Sequence, residues 1–197
     1  MSRISEAITF MKSAHRSIRQ TRKDGIRPYE VHPLEVMARV AAVENTEDIL
    51  IAALLHDVIE DVYPVNDVFD IYSIEKSFGS FAAKLVIELT DCFTKEAHPD
   101  KNRRTRKDLE RARYGTISAN AKLIKLADIT TNLLDDGNVT ADGSFGGADA
   151  GFNQMYIREK AQCLPFLKNE SDKANRALYS DALDALHAQA AKFGVRL

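Results

Sequence analysis

The sequence predicts an all-α fold, and three observations lead to that prediction. Apolar residues recur at helical spacing from the start of the chain, beginning with Ile4, Ala7 and Ile8. Two segments, 45–62 and 118–135, are apolar almost all round, which is typical of helices buried at the centre of a bundle. No stretch of useful length alternates apolar and polar residues as a half-buried strand does.

The bulk composition indicates one globular domain spanning residues 1–197. This length is enough for one sizeable core and small for two. The net charge of −2 gives no overall field that would attract nucleic acid or an anionic membrane. We find no signal-like or membrane-spanning apolar run, and the two cysteines form no C-x-x-C motif. We therefore expect a cytoplasmic protein with reduced thiols, acting without nucleic acid or membrane; the oligomeric state is left open.

The first half of the chain predicts helices separated by Gly and Pro. A first helix is expected over 3–22, before the segment KDGIRPYEVHP, in which Gly25 and two prolines interrupt helical structure. Pro64 marks the end of the long apolar helix. The other helices of this half are expected at 33–44, 45–62, 66–77 and 80–92.

The second half predicts four more helices and one long loop. The glycine-rich segment 137–151 predicts a loop and lacks a P-loop pattern, since the G-K-[ST] ending is missing. The chain closes with a C-terminal helix inside 170–197. The helices of this half are expected at 118–135, 153–168 and 172–192, and the basic segment 101–113 is the fourth where it is taken as a solvated helix face.

Four ionisable residues, His56, Asp57, Glu60 and Asp61, end the apolar helix over 45–62. On a continuous helix, residues four apart share a face, so His56 would lie under Glu60 and Asp57 under Asp61. An imidazole beside a carboxylate is a common beginning of a divalent-metal site, but two ligands hold an ion loosely. The alternative is a local hydrogen bond between His56 and Asp57.

Two further residues could complete such a metal site. His32 stands where a loop meets a helix, and Asp128 interrupts the apolar run LIKLADITTNLL. A buried carboxylate without a partner is costly, and a shared cation would remove that cost. Taken singly, His32 could be a helix-entry residue and Asp128 a buried acid bonded to a backbone amide. Two His and two Asp around one ion would suit Mn²⁺, Fe²⁺, Co²⁺ or Zn²⁺.

The segments HPLEV, ALLHDVIED and KLADITTN resemble, in this order and spacing, the HD-domain hydrolases of the RelA/SpoT type. The resemblance covers about residues 5–165 and is strongest to the stand-alone small alarmone hydrolases, including metazoan SpoT homologues. It implies an HD-domain helical bundle whose buried central helix carries the His-Asp pair. It also implies removal of the 3′-diphosphate of guanosine tetra- or pentaphosphate, giving GDP or GTP and pyrophosphate.

Carried over residue by residue, the resemblance assigns a metal site and an acidic pair. It implies Mn²⁺ as the usual metal. Glu60 and Asp61 match the acidic pair that handles the attacking water. A bound divalent ion lowers the pKa of its water toward 7, and we hypothesise that the resulting hydroxide attacks the phosphorus at the 3′ oxygen. The implied metal ligands are His32, His56, Asp57 and Asp128.

The resemblance also implies substrate contacts. Arg22 and Lys23 match a basic pair near the nucleotide base and phosphates, and Asn132 matches a residue near the ribose. Lys125 either reaches the site or extends its ammonium out of the core. The segment 101–113 holds seven Lys or Arg against two acids, and is either a solvated helix face or a further source of phosphate-binding cations. The candidates within it are Arg104 and Lys107.

The sequence departs from the long RelA/SpoT proteins in two places. Ile129 and Thr131 stand where those proteins have Arg and His, and the stretch between Lys23 and His32 is about one residue longer than in bacterial forms. Base recognition could therefore differ, which makes an adenosine alarmone an alternative substrate. An NADPH phosphatase or nucleotidase on the same scaffold, which would release orthophosphate, is a further candidate function. A non-catalytic nucleotide-binding module is the last candidate.

Overall fold

The computed structural model describes residues 2–135 and 150–197. Within these ranges the chain forms nine α-helices, and the only β-type pairing is an isolated bridge between Thr21 and Pro28. The predicted all-α class is confirmed. No described helix is both long and apolar enough to span a bilayer. The helices are α1 Arg3–Ser17, α2 Val31–Ala41, α3 Glu47–Leu55, α4 Ile71–Phe78, α5 Ser80–Leu89, α6 Arg103–Tyr114, α7 Ala119–Leu134, α8 Ala150–Leu167 and α9 Lys173–Phe193.

The core is built around α3 and α7. Residues 51–55 of α3 are fully buried, because this helix packs against α1, α2, α5 and α7. Helix α7 contacts α2, α5, α8 and α9, and nearly all of its second half is buried. The Ser118 hydroxyl caps α7 by accepting from the Ala121 N–H at 3.2 Å. Any ionisable residue on these two helices is therefore held deep in the protein.

Helix α1 ends at Ser17, so the predicted end near residue 22 is wrong. The N–H of Gln20 donates to the His15 carbonyl (3.1 Å), and the N–H of Arg19 donates to the Arg16 carbonyl (3.0 Å). These two bonds form a Schellman motif in which Arg19 takes the left-handed conformation, with φ 54°. Glycine normally occupies that position, and its absence removed the signal for the helix end.

The segment that follows α1 folds back on itself. The Arg22 N–H donates to the Arg27 carbonyl (2.9 Å), and the Tyr29 N–H donates to the Gln20 carbonyl (3.2 Å). Gly25, at φ 71°, permits the turn between these residues. The fold-back places Gln20, Arg22 and Tyr29 beside the first turn of α2.

The single helix predicted over 45–62 is also wrong. Helix α3 ends at Leu55, and the His-Asp pair occupies the turn that follows it instead of the helix itself. Residues Val58–Val62 then form a π-helical turn, in which the Tyr63 N–H donates to the Val58 carbonyl at 3.0 Å. Because the helix is not continuous, the four-residue spacing no longer stacks His56 under Glu60. No Gly or Pro marks this break, although such turns are frequent at functional sites.

Smaller differences concern helix ends. The helix predicted over 66–77 is a 3₁₀ turn, Asp67–Phe69, followed by α4, which the Asp70 carboxylate caps at the Ser73 N–H (2.7 Å). The helix predicted over 80–92 ends at Leu89. Of the loop predicted over 137–151, only the last two residues are described, and they begin α8; positions 136–149 lie outside the described residues.

Candidate active site

Four predicted metal ligands converge at one point in the core. His32 lies in the first turn of α2, His56 and Asp57 follow α3, and Asp128 lies in α7. The Nε2 atom of His32 is 3.2 Å from Asp128 Oδ1 and 3.5 Å from Asp57 Oδ2. The Nε2 atom of His56 is 3.0 Å from Asp57 Oδ2 and 3.8 Å from Asp128 Oδ1. The structure therefore brings together side chains from three separate parts of the chain.

These four residues fit a divalent cation. The Nε2 atoms of His32 and His56 are buried and form no hydrogen bond with a described residue, although buried polar atoms are normally paired. The Nδ1 atom of His56 is 2.8 Å from the Ala53 carbonyl, so Nδ1 donates to that carbonyl and Nε2 is the nitrogen that faces the carboxylates. Donor separations of 3.0 to 3.8 Å suit neighbouring ligands of one ion. The mixed nitrogen and oxygen set suits a divalent transition metal.

Asp128 is held ionised by neighbouring cations. The Lys125 ammonium lies 3.0 Å from Asp128 Oδ2, and the Asn132 amide donates to Asp128 Oδ1 at 2.6 Å. Burial alone would raise the pKa of Asp128, but Lys125, together with His32 and His56, holds it well below its usual range. Of the two orientations considered for Lys125, the structure has the one that points into the site.

Asp57 receives a hydrogen bond from a residue that the sequence reasoning did not single out. The Tyr29 hydroxyl donates to Asp57 Oδ2 at 2.6 Å. Burial acts to raise the pKa of Asp57, yet the adjacent His56 imidazole lowers it below the usual range. Tyr29 stands three residues before His32 in the segment RPYEVHP, and that proximity to a predicted ligand was the available signal.

Glu60 is oriented by the start of the loop after α5. Its Oε2 atom accepts from the Asp91 N–H at 3.1 Å, and the Asp91 carboxylate is in turn bound by Lys107 (3.0 Å) and by the Tyr114 hydroxyl (3.1 Å). Burial, and then the charge of Asp91, raises the pKa of Glu60 to about 7. Among the neighbouring acids, Asp91 is the one that acts most strongly on Glu60.

Asp61 is held by a different set of residues from those that hold Glu60. The Gln20 amide donates to Asp61 Oδ2 at 2.8 Å, and the Tyr29 hydroxyl also contacts this carboxylate. Burial and the charge of Asp57 raise the pKa of Asp61. The two acids after the His-Asp pair thus diverge, each with its own supporting residues.

A buried ion pair fixes the loop that carries Asp91. The Glu110 carboxylate accepts from the N–H groups of Cys92 (3.1 Å) and Phe93 (3.2 Å). Arg113 pairs with Glu110 and also donates to carbonyl groups at the end of α5. Since the backbone on either side is fixed, the Asp91 N–H that holds Glu60 has a defined position.

Comparison with known proteins agrees with this geometry. A family model described as an HD domain matches residues 7–140. The chain belongs to the HD domain family.

Its relatives include RelA/SpoT-type hydrolases, which confirms the resemblance. Human guanosine-3′,5′-bis(diphosphate) 3′-pyrophosphohydrolase MESH1 is 35% identical over 144 residues, covering 72% of this chain and 74% of the human protein. The bifunctional (p)ppGpp synthase/hydrolase SpoT of Escherichia coli is 32% identical over 143 residues, covering 72% of this chain but 19% of that protein. A solved structure of a metazoan SpoT orthologue that hydrolyses ppGpp is 28% identical, covers 96% of each chain and has a TM-score of 0.75.

In this HD domain, two of the predicted substrate residues are already bonded to each other. The Arg22 guanidinium donates to Asp135 Oδ2 at 2.6 and 3.0 Å, and to Asn132 Oδ1 at 3.1 Å. Arg22 is almost fully buried and lies over the ring of Tyr29. Arg22 thereby orients Asn132, whose amide hydrogens point to Asp128.

Lys23 lies beside an aromatic ring of α8. Its ammonium is 4.8 Å from the centre of the Tyr156 ring, and that of Lys160 is 4.9 Å from the same ring. Lys23, Asn132 and Tyr156 line one small recess. The sequence reasoning named Lys23 and Asn132 but missed Lys160, which carries no signal in an ordinary helical pattern.

Arg104 and Lys107 lie in a basic cleft between α6 and α8. The cleft has a volume of about 560 Å³. Arg103 pairs with Glu159 (2.8 Å), whereas Arg104 and Arg158 form no ion pair with any residue that the structure describes. The residues that line the cleft are Arg103, Arg104, Lys107, Asp108, Arg111, Met155, Arg158, Glu159 and Gln162.

The first of the two departures from the long RelA/SpoT proteins, at Ile129 and Thr131, adds no group to the cluster of predicted metal ligands. Ile129 is fully buried in the apolar core. The Thr131 hydroxyl donates to the Ala127 carbonyl (2.8 Å) and accepts from Arg39 Nε (3.1 Å). Neither side chain offers a group to the cluster around Asp128.

Proposed function

We propose that this chain is a single-domain, cytoplasmic, divalent-metal-dependent hydrolase that removes the 3′-diphosphate of guanosine tetra- and pentaphosphate, with Mn²⁺ as its metal. The observation that carries the proposal is the convergence of two carboxylates with the Nε2 atoms of His32 and His56, which form no hydrogen bond with a described residue, next to the acids Glu60 and Asp61. The relatives named for this activity support the choice of substrate.

The metal would be held by His32, His56, Asp57 and Asp128. Bound there, a divalent ion would lower the pKa of a bound water toward 7 and polarise a phosphoryl oxygen. Asp128 keeps its negative charge for this task because Lys125 compensates it in the metal-free protein.

Glu60 would accept a proton from the attacking water and donate one to the 3′ oxygen. In the reaction, a water oxygen bonds to the phosphorus at the 3′ position, the bond from that phosphorus to the 3′ oxygen breaks, and the 3′ oxygen gains a proton. A group with a pKa near 7 both accepts and donates a proton at neutral pH, and Glu60 has a pKa of about 7. Asp61, which points from the other side, would orient the water.

The remaining charges of the substrate need cations. Lys107 is joined to Glu60 through Asp91, and Lys23 lies beside Asn132 in the recess next to Tyr156. Beyond Lys107, the basic cleft offers the guanidinium groups of Arg104 and Arg158, which form no ion pair with the described part of the chain. The Asn132 amide, oriented by Arg22, would contact the ribose. Several phosphate charges could thus be neutralised on the α6 and α8 side of the site.

The test is product analysis with purified protein. The protein is stripped with EDTA and resupplied separately with Mn²⁺, Fe²⁺, Co²⁺ and Zn²⁺. Each preparation is incubated with ppGpp, pppGpp, ppApp and NADPH, and the products are separated by anion-exchange chromatography. Asp128→Asn serves as the inactive variant, and Asp181→Asn, an exposed carboxylate of α9, as the matched control.

The expected result is GDP or GTP with pyrophosphate, formed fastest with Mn²⁺ and lost in Asp128→Asn. Faster release of pyrophosphate from ppApp than from ppGpp would show that the preferred base is adenine instead of guanine. Orthophosphate from NADPH without pyrophosphate from any alarmone would overturn the proposal. Alarmone binding without turnover would also overturn it and favour a binding module.

A further inference from the structure

A chain of buried hydrogen bonds runs from α1 to the acid Asp61. His15 Nδ1 lies 2.7 Å from Gln20 Oε1, and Gln20 Nε2 lies 2.8 Å from Asp61 Oδ2. His15 is buried, and its ring packs against Tyr29 with centroids 4.6 Å apart. Neither His15 nor Gln20 contacts the four predicted metal ligands in these bonds. We propose that Gln20 is a positioning residue for Asp61, and that His15 fixes the direction in which the Gln20 amide points.

The chemistry of the partners fixes the direction of the chain. A carboxylate accepts hydrogen bonds, so the NH₂ end of the Gln20 amide must face Asp61. The amide oxygen then faces His15, whose Nδ1 must carry a hydrogen in order to donate. Burial lowers the pKa of His15, so the ring is neutral and its Nε2 is left without a proton. An amide flip would break both bonds at once.

The backbone of Gln20 is fixed as firmly as its side chain. Its N–H closes the Schellman motif at the end of α1, and its carbonyl accepts from the Tyr29 N–H. Asp61 lies in the π-helical turn, and its own N–H donates to the Asp57 carbonyl at 2.9 Å. The Gln20 amide therefore binds one oxygen of Asp61 from a fixed point, and the carboxylate is kept from rotating.

The inference rests on the proposed function, because it assigns Asp61 a role in turnover. A neutral amide holds the carboxylate without adding charge, so its loss should impair the orientation of the acid more than the binding of substrate. We expect Gln20→Met to lower kcat about tenfold or more, with KM changed less than about twofold. Mn²⁺ affinity should not change, because Gln20 touches none of the predicted ligands. Gln154→Met, which removes a hydrogen bond to the Phe193 carbonyl, is the matched control and should keep wild-type kcat.

A double-mutant cycle tests whether Gln20 acts through Asp61. In an Asp61→Asn background, adding Gln20→Met should lower kcat no further. His15→Phe should lower kcat in the wild-type background and have no effect when added to Gln20→Met. His15→Asn should keep most of the activity that His15→Phe loses, since the asparagine amide can donate to Gln20. Independent, multiplicative losses for Gln20→Met and Asp61→Asn, or an unchanged kcat in Gln20→Met, would overturn the proposal.

Nuclear magnetic resonance tests the same chain without turnover. Long-range ¹H–¹⁵N spectra should show a hydrogen on His15 Nδ1, and the Gln20 side-chain amide should exchange slowly in wild type and quickly in Asp61→Asn. A hydrogen on Nε2 of a neutral His15, or exchange that Asp61→Asn leaves unchanged, would overturn the chain. If wild type hydrolyses no alarmone, the proposed function fails, while these spectra still decide whether His15 and Gln20 hold Asp61.

Discussion

His32 Nε2 and Asp128 Oδ1 lie 3.2 Å apart although they belong to different helices, α2 and α7. The contact exists because α2 packs on α7 in the core, where both side chains are almost fully buried. The Nε2 atoms of the two imidazoles of this cluster form no hydrogen bond with a described residue. A bound cation would satisfy both nitrogens and balance the charges of the two carboxylates.

Lys125 should stabilise the metal-free protein by compensating Asp128. Lys125→Met leaves a buried carboxylate without its ammonium partner, and removing one member of a buried pair typically costs about 3–5 kcal/mol. We expect the free energy of unfolding in EDTA, measured by urea titration, to fall by about 3 kcal/mol. Lys122→Met, which loses only a bond to the Gly115 carbonyl, is the control on the same helix. Equal stability of the two variants would contradict this role.

The raised pKa of Glu60 predicts a pH-dependent stability of the metal-free protein. The pKa is about 7 in the folded state and 4.5 when unperturbed, so between these values the folded protein binds the extra proton. Stability should therefore fall as pH rises from about 4.5 to 7, by at most about 3 kcal/mol at 1.36 kcal/mol per unit. Urea unfolding of wild type and Glu60→Gln in EDTA gives the difference. If both proteins lose stability equally across this range, the pKa assignment is wrong.

Tyr29 should contribute to metal affinity. Its hydroxyl orients Asp57, and replacing a supporting residue of this kind typically lowers metal affinity about 10- to 100-fold. We expect Tyr29→Phe to weaken Mn²⁺ binding at least tenfold in calorimetric titration. Tyr63→Phe, at an exposed tyrosine, should bind as wild type does. A Tyr29→Phe protein with unchanged affinity would show that Asp57 is held by its other contacts.

The basic cleft should bind substrate phosphates. Because Arg104 and Arg158 have no carboxylate partner among the described residues, their charges are available to a ligand. We expect the double variant Arg104→Gln/Arg158→Gln to raise KM for alarmone about tenfold, with kcat little changed. The KM of this variant should also depend less on salt concentration. Arg196→Gln, at an exposed site near the C-terminus, is the control. If the salt dependence and KM match those of the control, the phosphates bind elsewhere.

The four residues proposed as metal ligands could be singled out from the sequence because burying their side chains is costly. A His-Asp pair after an apolar run, and an acid inside another apolar run, are conspicuous in the sequence whatever their exact geometry. Gln20, Tyr29 and Asp91 are different, since polar residues in loops are common and their partners are set by backbone turns. Two of those turns, the left-handed Arg19 and the π-helical turn at Val58–Val62, occur without Gly or Pro. Local patterns therefore predicted most of the elements and the residues that cluster in the core, but not the residues that orient them.

The central claim is that one cation is bound by His32, His56, Asp57 and Asp128. Anomalous diffraction from crystals grown with Mn²⁺ tests it most directly. We expect one strong peak about 2 Å from the Nε2 atoms of both histidines and from a carboxylate oxygen of each aspartate. A cluster without a peak at saturating Mn²⁺, or a peak bound by other residues, would contradict it.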